Sequence, residues 1–310
     1  MALTLVEAAK GEGNLFTQGV IETFMENQRF TQIVPYRDIL GSADGIFQEE
    51  VLPSAESRAV NQAFTQSEGK LAEIIQSLKI YGGDIGIDPF ILATKGEAQA
   101  TRQVAMKIKA ISDKWTLDMI KGDAGAQPRD FDGLQNRLAI GSFNVVEAGA
   151  TNGGDPLALT LLDESIMRCH NPQYLLMGRQ MSVRLTQAGR NSAVSGVLTE
   201  ARNEFGRRVL FYNGLEIVTV VTNSNADTIL GFTEVGAGGA TATASSIYVC
   251  GVGDEGIEGI QNGGFRVRGL GEANDTPRED TRVEWYNNFH INHPRAVIRV
   301  RGISNTPFVS

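Results

Sequence analysis

The sequence predicts an α+β protein, and three observations carry that expectation. One helix-period stretch, "TKGEAQATRQVAMKIKAISDKWTLDMIKGD", is much longer than any other. Two shorter helix-like stretches are interleaved with apolar strand-like runs in the middle of the chain, and the C-terminal part alternates strands with turns. With 310 residues, 42% of them hydrophobic, the chain can bury one large core or two modest ones.

From the N-terminus, "MALTLVEAAKGEGNLFTQGVIETFMENQRFTQIVPYRDILG" mixes a short helical pattern (Val20, Ile21, Phe24, Met25) with extended stretches. Pro35 biases Val34 toward β conformation. The segment reads as an arm rather than part of a core. Next, "ESRAVNQAFTQ" and "KLAEIIQSLKIYGG" carry partial period-two patterning (Val60, Phe64; Ile74, Leu78, Ile80) on either side of the turn-like "SEG", which predicts a long hairpin. A two-stranded ribbon is marginally stable alone in water, so this one is expected to lie on something else, with another subunit as a candidate.

In the long helix Val104, Ile108, Ile111, Trp115 and Met119 recur at intervals of four and three, giving one continuous apolar face. Thr94 and Glu97 fit a capping box and Gly122 fits a C-terminal stop, for a length over about 40 Å at ~1.5 Å per residue. After the loop "KGDAGAQPRDFDG" come helix-like "PLALTLLDESIMRC" and "GRQMSVRLTQAGR", then strand-like "RRVLFYNGLEIVTVV" with a turn at "NG". The Gly, Ala and Thr content of "EVGAGGATATASS" predicts a mobile surface loop.

Composition excludes several function classes. With 36 acidic against 28 basic side chains the net charge is −8, which argues against phosphate-backbone binding as the main task. The two cysteines, Cys169 and Cys250, cannot make a disulfide framework, no secretory leader pattern precedes "MALTLVEAAKGEG", and no apolar run approaches the ~20 residues of a membrane span. A soluble protein folded in a reducing cytoplasm, with no membrane partner, is expected.

Chemical motifs are few. "GVGDEG" (251–256) matches the dinucleotide fingerprint G-x-G-x-x-G, but that motif needs a helix immediately after it to receive the pyrophosphate. Here "IEGIQNGGFRVRGLGE" follows, rich in glycine and strand-like, so the glycines are read as a turn. His290 and His293 spell H-x-x-H in a strand-like stretch, where residues three apart face opposite ways and cannot share a metal. Cys169 beside His170 has no orienting acid and is read as a buried thiol next to a surface imidazole. Asp163 and Glu164 diverge on a helix and make a poor acid/base pair. No cofactor, metal or catalytic residue is assigned, and an enzyme is not expected.

One charge feature stands out. Arg179, Arg184, Arg190, Arg202, Arg207 and Arg208 share a stretch whose acids are Glu200 and Glu204. A phosphate site and an ion-pairing interface both fit, and the overall negative charge places the interface between subunits first.

The order of parts, arm, extended loop, long helix, α+β domain and returning strands, resembles the tailed-bacteriophage major capsid proteins of the Hong Kong 97-type fold. The resemblance is carried by "FTQIVPYRDILG", "ESRAVNQAFTQSEGKLAEIIQSLKIYGGDIGID", "GDAGAQPRDFDGLQNRL", "LLMGRQMSVRLTQAGR", "GRRVLFYNGLEIVTV", "IEGIQNGGFRVRGLGE" and "TRVEWYNNFHINHPRAVIRVRGI". It implies an N-terminal arm (1–45), an extended E-loop hairpin (46–85), a peripheral P-domain with the spine helix (86–125 and 255–290) and an axial A-domain (126–254 and 291–310). It also implies self-assembly into hexamers, pentamers and a closed icosahedral head enclosing double-stranded DNA, a virion protein assembled in the bacterial host cytoplasm. DNA would lie inside without sequence-specific binding.

Candidate inter-subunit contacts are Arg58, Phe64, Lys70, Arg179, Arg184, Arg190, Arg207 and Arg208. Partners beyond the chain itself would be scaffolding, portal and decoration proteins. Some members carry a long N-terminal scaffolding segment, whereas here Met1 stands shortly before "FTQIVPYRD", which implies a separate scaffold or none. Some members also join a loop lysine to a neighbour's asparagine. Lys70 lies between Glu68 and Glu73, whose carboxylates favour the charged, unreactive ammonium, so no such bond is expected. The alternative within the fold is an encapsulin-type compartment, and the more distant one a soluble enzyme.

Overall fold

The runs "YLLM", "SIYVC" and "VIRV" show no polar alternation, the pattern of strands buried on both faces. The structure, a computed structural model, describes residues 29–95, 97–190, 196–202, 208–222, 229–273 and 275–308 and puts these runs at the centre of its largest sheet. In chain order the elements are α1 (Arg29–Ile33), β1 (Tyr36–Asp38), β2 (Ala43–Val51), β3 (Lys70–Ser77), β4 (Lys79–Ile87), α2 (Pro89–Lys95), α3 (Glu97–Lys121) and α4 (Leu134–Arg137). There follow β5 (Val145–Glu147), α5 (Leu159–Arg168), β6 (Tyr174–Met177), α6 (Arg179–Ala188), β7 (Leu198–Arg202), β8 (Arg208–Tyr212) and β9 (Leu215–Thr219). Last come β10 (Glu234–Val235), β11 (Ala242–Cys250), β12 (Ile257–Glu272), β13 (Glu279–Ile291) and β14 (Val297–Ser304).

Among the described residues the strands form three sheets. The largest runs β5-β14-β11-β6-β9-β8-β7, with β10 paired to the start of β11. The second runs β1-β12-β13-β4, and the third is the ribbon β2-β3. Successive side chains of a strand point to opposite faces, and the large sheet uses both. Leu176, Val218, Tyr248, Cys250 and Val297 join one core with Ile108, Trp115 and Trp285. Their neighbours Leu175, Met177, Ile217, Val249 and Ile298 join a second core with Leu162, Ile166, Met181 and Leu185 from α5 and α6.

The long helix forms as its periodicity dictates: Val104, Ile108, Ile111, Trp115 and Met119 are all buried. Trp115 lies 5.8 Å from Trp285 between ring centroids, and Phe265 stacks on Trp285 at 4.7 Å. Each indole N–H has a partner, Trp115 donating to Asn287 Oδ1 (2.9 Å) and Trp285 to Gln261 Oε1 (3.0 Å), which makes deep burial of both rings tolerable. At "NG", Asn213 and Gly214 have φ of 49° and 82°, the paired positive values of a tight hairpin turn between β8 and β9.

Four expectations need correction. The capping box does not start the long helix: Thr94 lies inside α2, where its hydroxyl donates to the carbonyls of Phe90 (2.8 Å) and Ile91 (3.3 Å). The 25 residues of α3 then span about 37 Å at ~1.5 Å per residue, slightly less than expected. The partner strand of the ribbon is "ADGIFQEEV", with Ile46 opposite Ile74 and Phe47 opposite Glu73. "ESRAVNQAFTQ" instead forms the open tip, turning at Asn61 (φ 67°), and Lys79–Ile87 belongs to the four-stranded sheet. The stretch expected to be an arm contributes Phe30, Val34 and Tyr36 to the first core; the helical pattern of Val20, Ile21, Phe24 and Met25 lies outside the described residues.

The fourth correction has the largest energetic content. "EVGAGGATATASS" is not a mobile loop, because it supplies β10 and the first half of β11, and Ala244, Ser245 and Ser246 are fully buried. Its small residues allow close packing. Glu234 is buried against Arg299 of β14 at 2.8 Å, and Ser246 Oγ donates to the same carboxylate while accepting from Arg299 Nε at 3.1 Å. Removing one partner of a buried pair strands the other charge at a cost of about 3–5 kcal/mol. Glu234→Ala is therefore expected to lower unfolding stability by about that amount in urea titrations, and Glu234→Leu with Arg299→Met to recover most of it.

Candidate functional site

The motifs singled out in the sequence occupy separate places in the fold, and several basic and apolar side chains stand on open surface. Across "GVGDEG", Gly253 N–H donates to Ile257 O (3.1 Å), Gly256 N–H to Gly253 O (2.9 Å) and Ile257 N–H to Gly251 O (2.9 Å). Gly253 has φ 112°, and a Cβ on Gly256 would come within 2.5 Å of the Gly251 backbone, so both glycines are required by the turn. Strand β12 follows directly, with no helix N-terminus to hold a phosphate.

The thiols and imidazoles separate as well. Cys169 is buried, with Sγ 3.4 Å from the Ala296 carbonyl, and burial pushes its thiol up to about 12. Cys250 is fully buried and its thiol is raised further by the same cause. His290 is buried against Asp44 of the ribbon, whereas the His293 ring stacks on His170 with centroids 4.1 Å apart. Among the described residues no group of three or more His, Cys, Asp or Glu side chains is placed to hold a metal ion. Asp163 accepts from Tyr212 Oη (2.9 Å) and Glu164 pairs with Arg168, so these two carboxylates serve separate local contacts.

The predicted contact residues fall into two groups. Arg58, Phe64 and Lys70 stand on the ribbon, where every residue from 51 to 70 is exposed. The Arg58 guanidinium lies 5.2 Å from the Phe64 ring centroid and donates to Gln62 O (3.1 Å), a cation–π contact that restrains the tip. Lys70 opens β3, opposite Val51. In the second group, Arg190 and Arg208 line a cleft of about 490 Å³ with Ser182, Val183, Thr186 and Leu210. Arg208 is paired with Glu200. Arg184 is engaged within the subunit, Nε donating to Asn305 Oδ1 (3.0 Å) and Nη2 to Asn305 O (3.2 Å). Arg179 is the first residue of α6, and Arg207 lies outside the described residues.

Sequence reasoning missed the outer face of the ribbon. Phe47, Leu71 and Ile75 share that face by register and are 68%, 67% and 62% exposed. The signal was present in "KLAEIIQS", whose alternate residues face in and out, but its partner strand was assigned to the wrong segment. Ile140 (66% exposed), Phe143 (55%) and Met167 (85%) are further exposed apolar side chains, with Arg168 over the Phe143 ring at 5.4 Å.

A ribbon projecting from a body built on a long helix and a two-faced sheet defines the Hong Kong 97-type fold, shared by phage capsid and encapsulin shell proteins, and this chain has that fold. The chain is similar to the holo-SrpI encapsulin complex from Synechococcus elongatus PCC 7942, with a TM-score of 0.64, 16% identity, and 91% of this chain and 89% of that chain covered. It is similar to the capsid of the native GTA particle (TM-score 0.60, 12% identity, 91% and 90% covered). It is also similar to a structure from Mycobacterium phage Adephagia (TM-score 0.60, 12% identity, 93% and 90% covered). No protein-family model matches the sequence, and no curated protein matches it.

Burial disfavours the thiolate of both cysteines, and the thiolate is the reactive form. The native protein at pH 8 is expected to take up no iodoacetamide at Cys169 or Cys250 by mass spectrometry, and both are expected to react fully in guanidinium. Labelling of either in the native state would show that the core opens there.

Proposed function

We propose that the chain is the major capsid protein of an icosahedral bacteriophage head, assembling as hexamers and pentamers around double-stranded DNA. The observation that carries this reading is the ribbon: residues 51–70 touch water throughout, and Phe47, Leu71 and Ile75 expose apolar area left open among the described residues. An unpartnered apolar face of this kind marks an interaction surface. Placing it on an extension favours heterologous contacts, which close into rings and shells. The net charge of −8 fits a container that holds DNA without gripping it. In this reading the ribbon is the E-loop and α3 the spine of a peripheral domain, assembly takes place in the host cytoplasm, and a scaffolding, portal or decoration protein completes the particle. The role is structural rather than catalytic.

An encapsulin-type compartment is the second reading, favoured by the TM-score of 0.64 to the encapsulin complex. Electron microscopy of the purified full-length chain, with the nucleic acid and co-purifying proteins identified, separates the two. Closed shells, packaging DNA beside terminase and portal, are expected; shells with a single cargo enzyme would select the encapsulin, and a chain that stays monomeric at high concentration would sink both.

Two further outcomes follow from the ribbon. Replacing residues 52–69 by a short Gly/Ser link is expected to leave the melting temperature nearly unchanged while abolishing shells, because none of the removed side chains is buried. Global unfolding of that variant would place the ribbon in the folding core. Because Lys70 is exposed rather than held in a dry pocket, particles boiled in detergent and reductant are expected to run as one band near 33.5 kDa. A ladder of multimers that vanished in Lys70→Ala would overturn this.

A further inference from the structure

The ribbon meets the body through polar side chains, and His290 stands at that junction, with His293 three residues on and stacked on His170. His290, in β13, has no exposed side-chain surface, and among the described residues neither ring nitrogen has a hydrogen-bond partner. Its Nε2 lies 3.3 Å from Asp44 Oδ2 of β2. Asp44 is already held by Arg37 of β1 at 2.5 Å, and Arg37 Nε also reaches Glu258 of β12 at 3.3 Å. Glu258 is the cross-strand register partner of His290, and the charge of the Arg137 guanidinium of α4 disfavours a protonated imidazole there.

Further along β2, Gln48 Nε2 donates to Ile291 O at 2.6 Å, and the Glu49 charge favours the protonated form of His293. The His293 ring is stacked on His170 (interplanar angle 19°), with Nδ1 accepting from the Arg295 N–H at 3.1 Å, and His170 Nε2 sits 3.0 Å from Glu255 Oε2.

We infer that the ribbon root is a proton-operated latch: neutral His290 and His293 let β2 lie against β13, and their protonation in mild acid loosens the ribbon. An imidazolium at His290 would be buried against the charges of Arg137 and Arg37, with Asp44 already engaged by Arg37. A charge on His293 would face a stacked imidazole and Arg295. For His290, burial leads the downward shift, Arg137 and Arg37 add to it, and Asp44 opposes it. For His293, burial, His170 and Arg295 lower the value, against Glu255 and Glu49. The latched state thus binds fewer protons than a released one, in which the imidazoles return toward ~6.5. Latch stability is fully present above that value and is lost as pH falls below it, through the depressed values.

The inference concerns one subunit and stands whether or not the chain forms shells. Hydrogen–deuterium exchange of the full-length chain in solution, at pH 7.5 and 5.5 and corrected for intrinsic rates, tests it. Protection of peptides covering β2 and β3 is expected to fall several-fold at the lower pH while β11 and β14 stay protected. In the His290→Gln, His293→Gln double variant that fall is expected to disappear. Equal ribbon protection at both pH values, or a fall undiminished in the double variant, would overturn the latch. Should His290→Gln fail to fold by circular dichroism, His293→Gln alone, at a half-buried position, must still blunt the response.

Discussion

Everything about the ribbon depends on one constraint: two strands cannot enclose a core, so the ribbon must be held by its root. That root is centred on Arg137. Its guanidinium donates to Asp132 O (2.7 Å), Phe289 O (2.9 Å), Gln76 Oε1 and Asn288 Oδ1 (both 3.1 Å) and lies 3.7 Å over the Phe289 ring. Burial pulls its pKa down to about 9, so it remains charged at neutral pH. Four fixed acceptors and one ring define a direction as well as an attachment, and Asn288 adds a bond to Ser77 O (2.7 Å). The ribbon is therefore aimed by hydrogen bonds, while the body folds around apolar contacts that do not involve it.

The body has its own joint. Both cores share the large sheet, and the buried pair Arg299–Glu234 sits within it, near the end of the long helix. Burial lowers the pKa of Lys121, the last residue of that helix, while Glu234 raises it and Arg299 lowers it further. The Glu234 carboxylate is paired with Arg299 of β14, and its charge also favours the cationic form of Lys121 at the end of the helix.

Features governed by local chemistry were legible in the sequence. The apolar spacing from Val104 to Met119 gave the long helix, Asn213-Gly214 gave its turn, and the glycines of "GVGDEG" were read as a turn because no helix pattern followed. Features set by distant partners were not. Arg184 is used by Asn305, Glu234 by Arg299, and the ribbon strand Ala43–Val51 is defined by pairing with Lys70–Ser77 across an open tip. "EVGAGGATATASS" misleads for the same reason: small residues signal a loop when read alone and close packing when another strand lies over them. The basic stretch was visible as composition, but only the fold shows that Arg190 and Arg208 share a cleft while Arg184 is bonded to Asn305.

The distribution of exposed apolar residues argues for assembly through several weak contacts. A single self-complementary patch would make a two-fold dimer and stop. Here Phe47, Leu71 and Ile75 lie on the ribbon, Ile140 and Phe143 in the loop before β5, Met167 on α5 and Phe90 on α2, spread over several elements. Each patch is small, and every subunit brings a net charge of −8, so association must overcome mutual repulsion that salt screens. Under the proposed capsid role, weak contacts of this kind form, break and correct themselves before a shell closes. In such a closed shell every subunit would be held by all its contacts at once, with a combined strength far above that of any one.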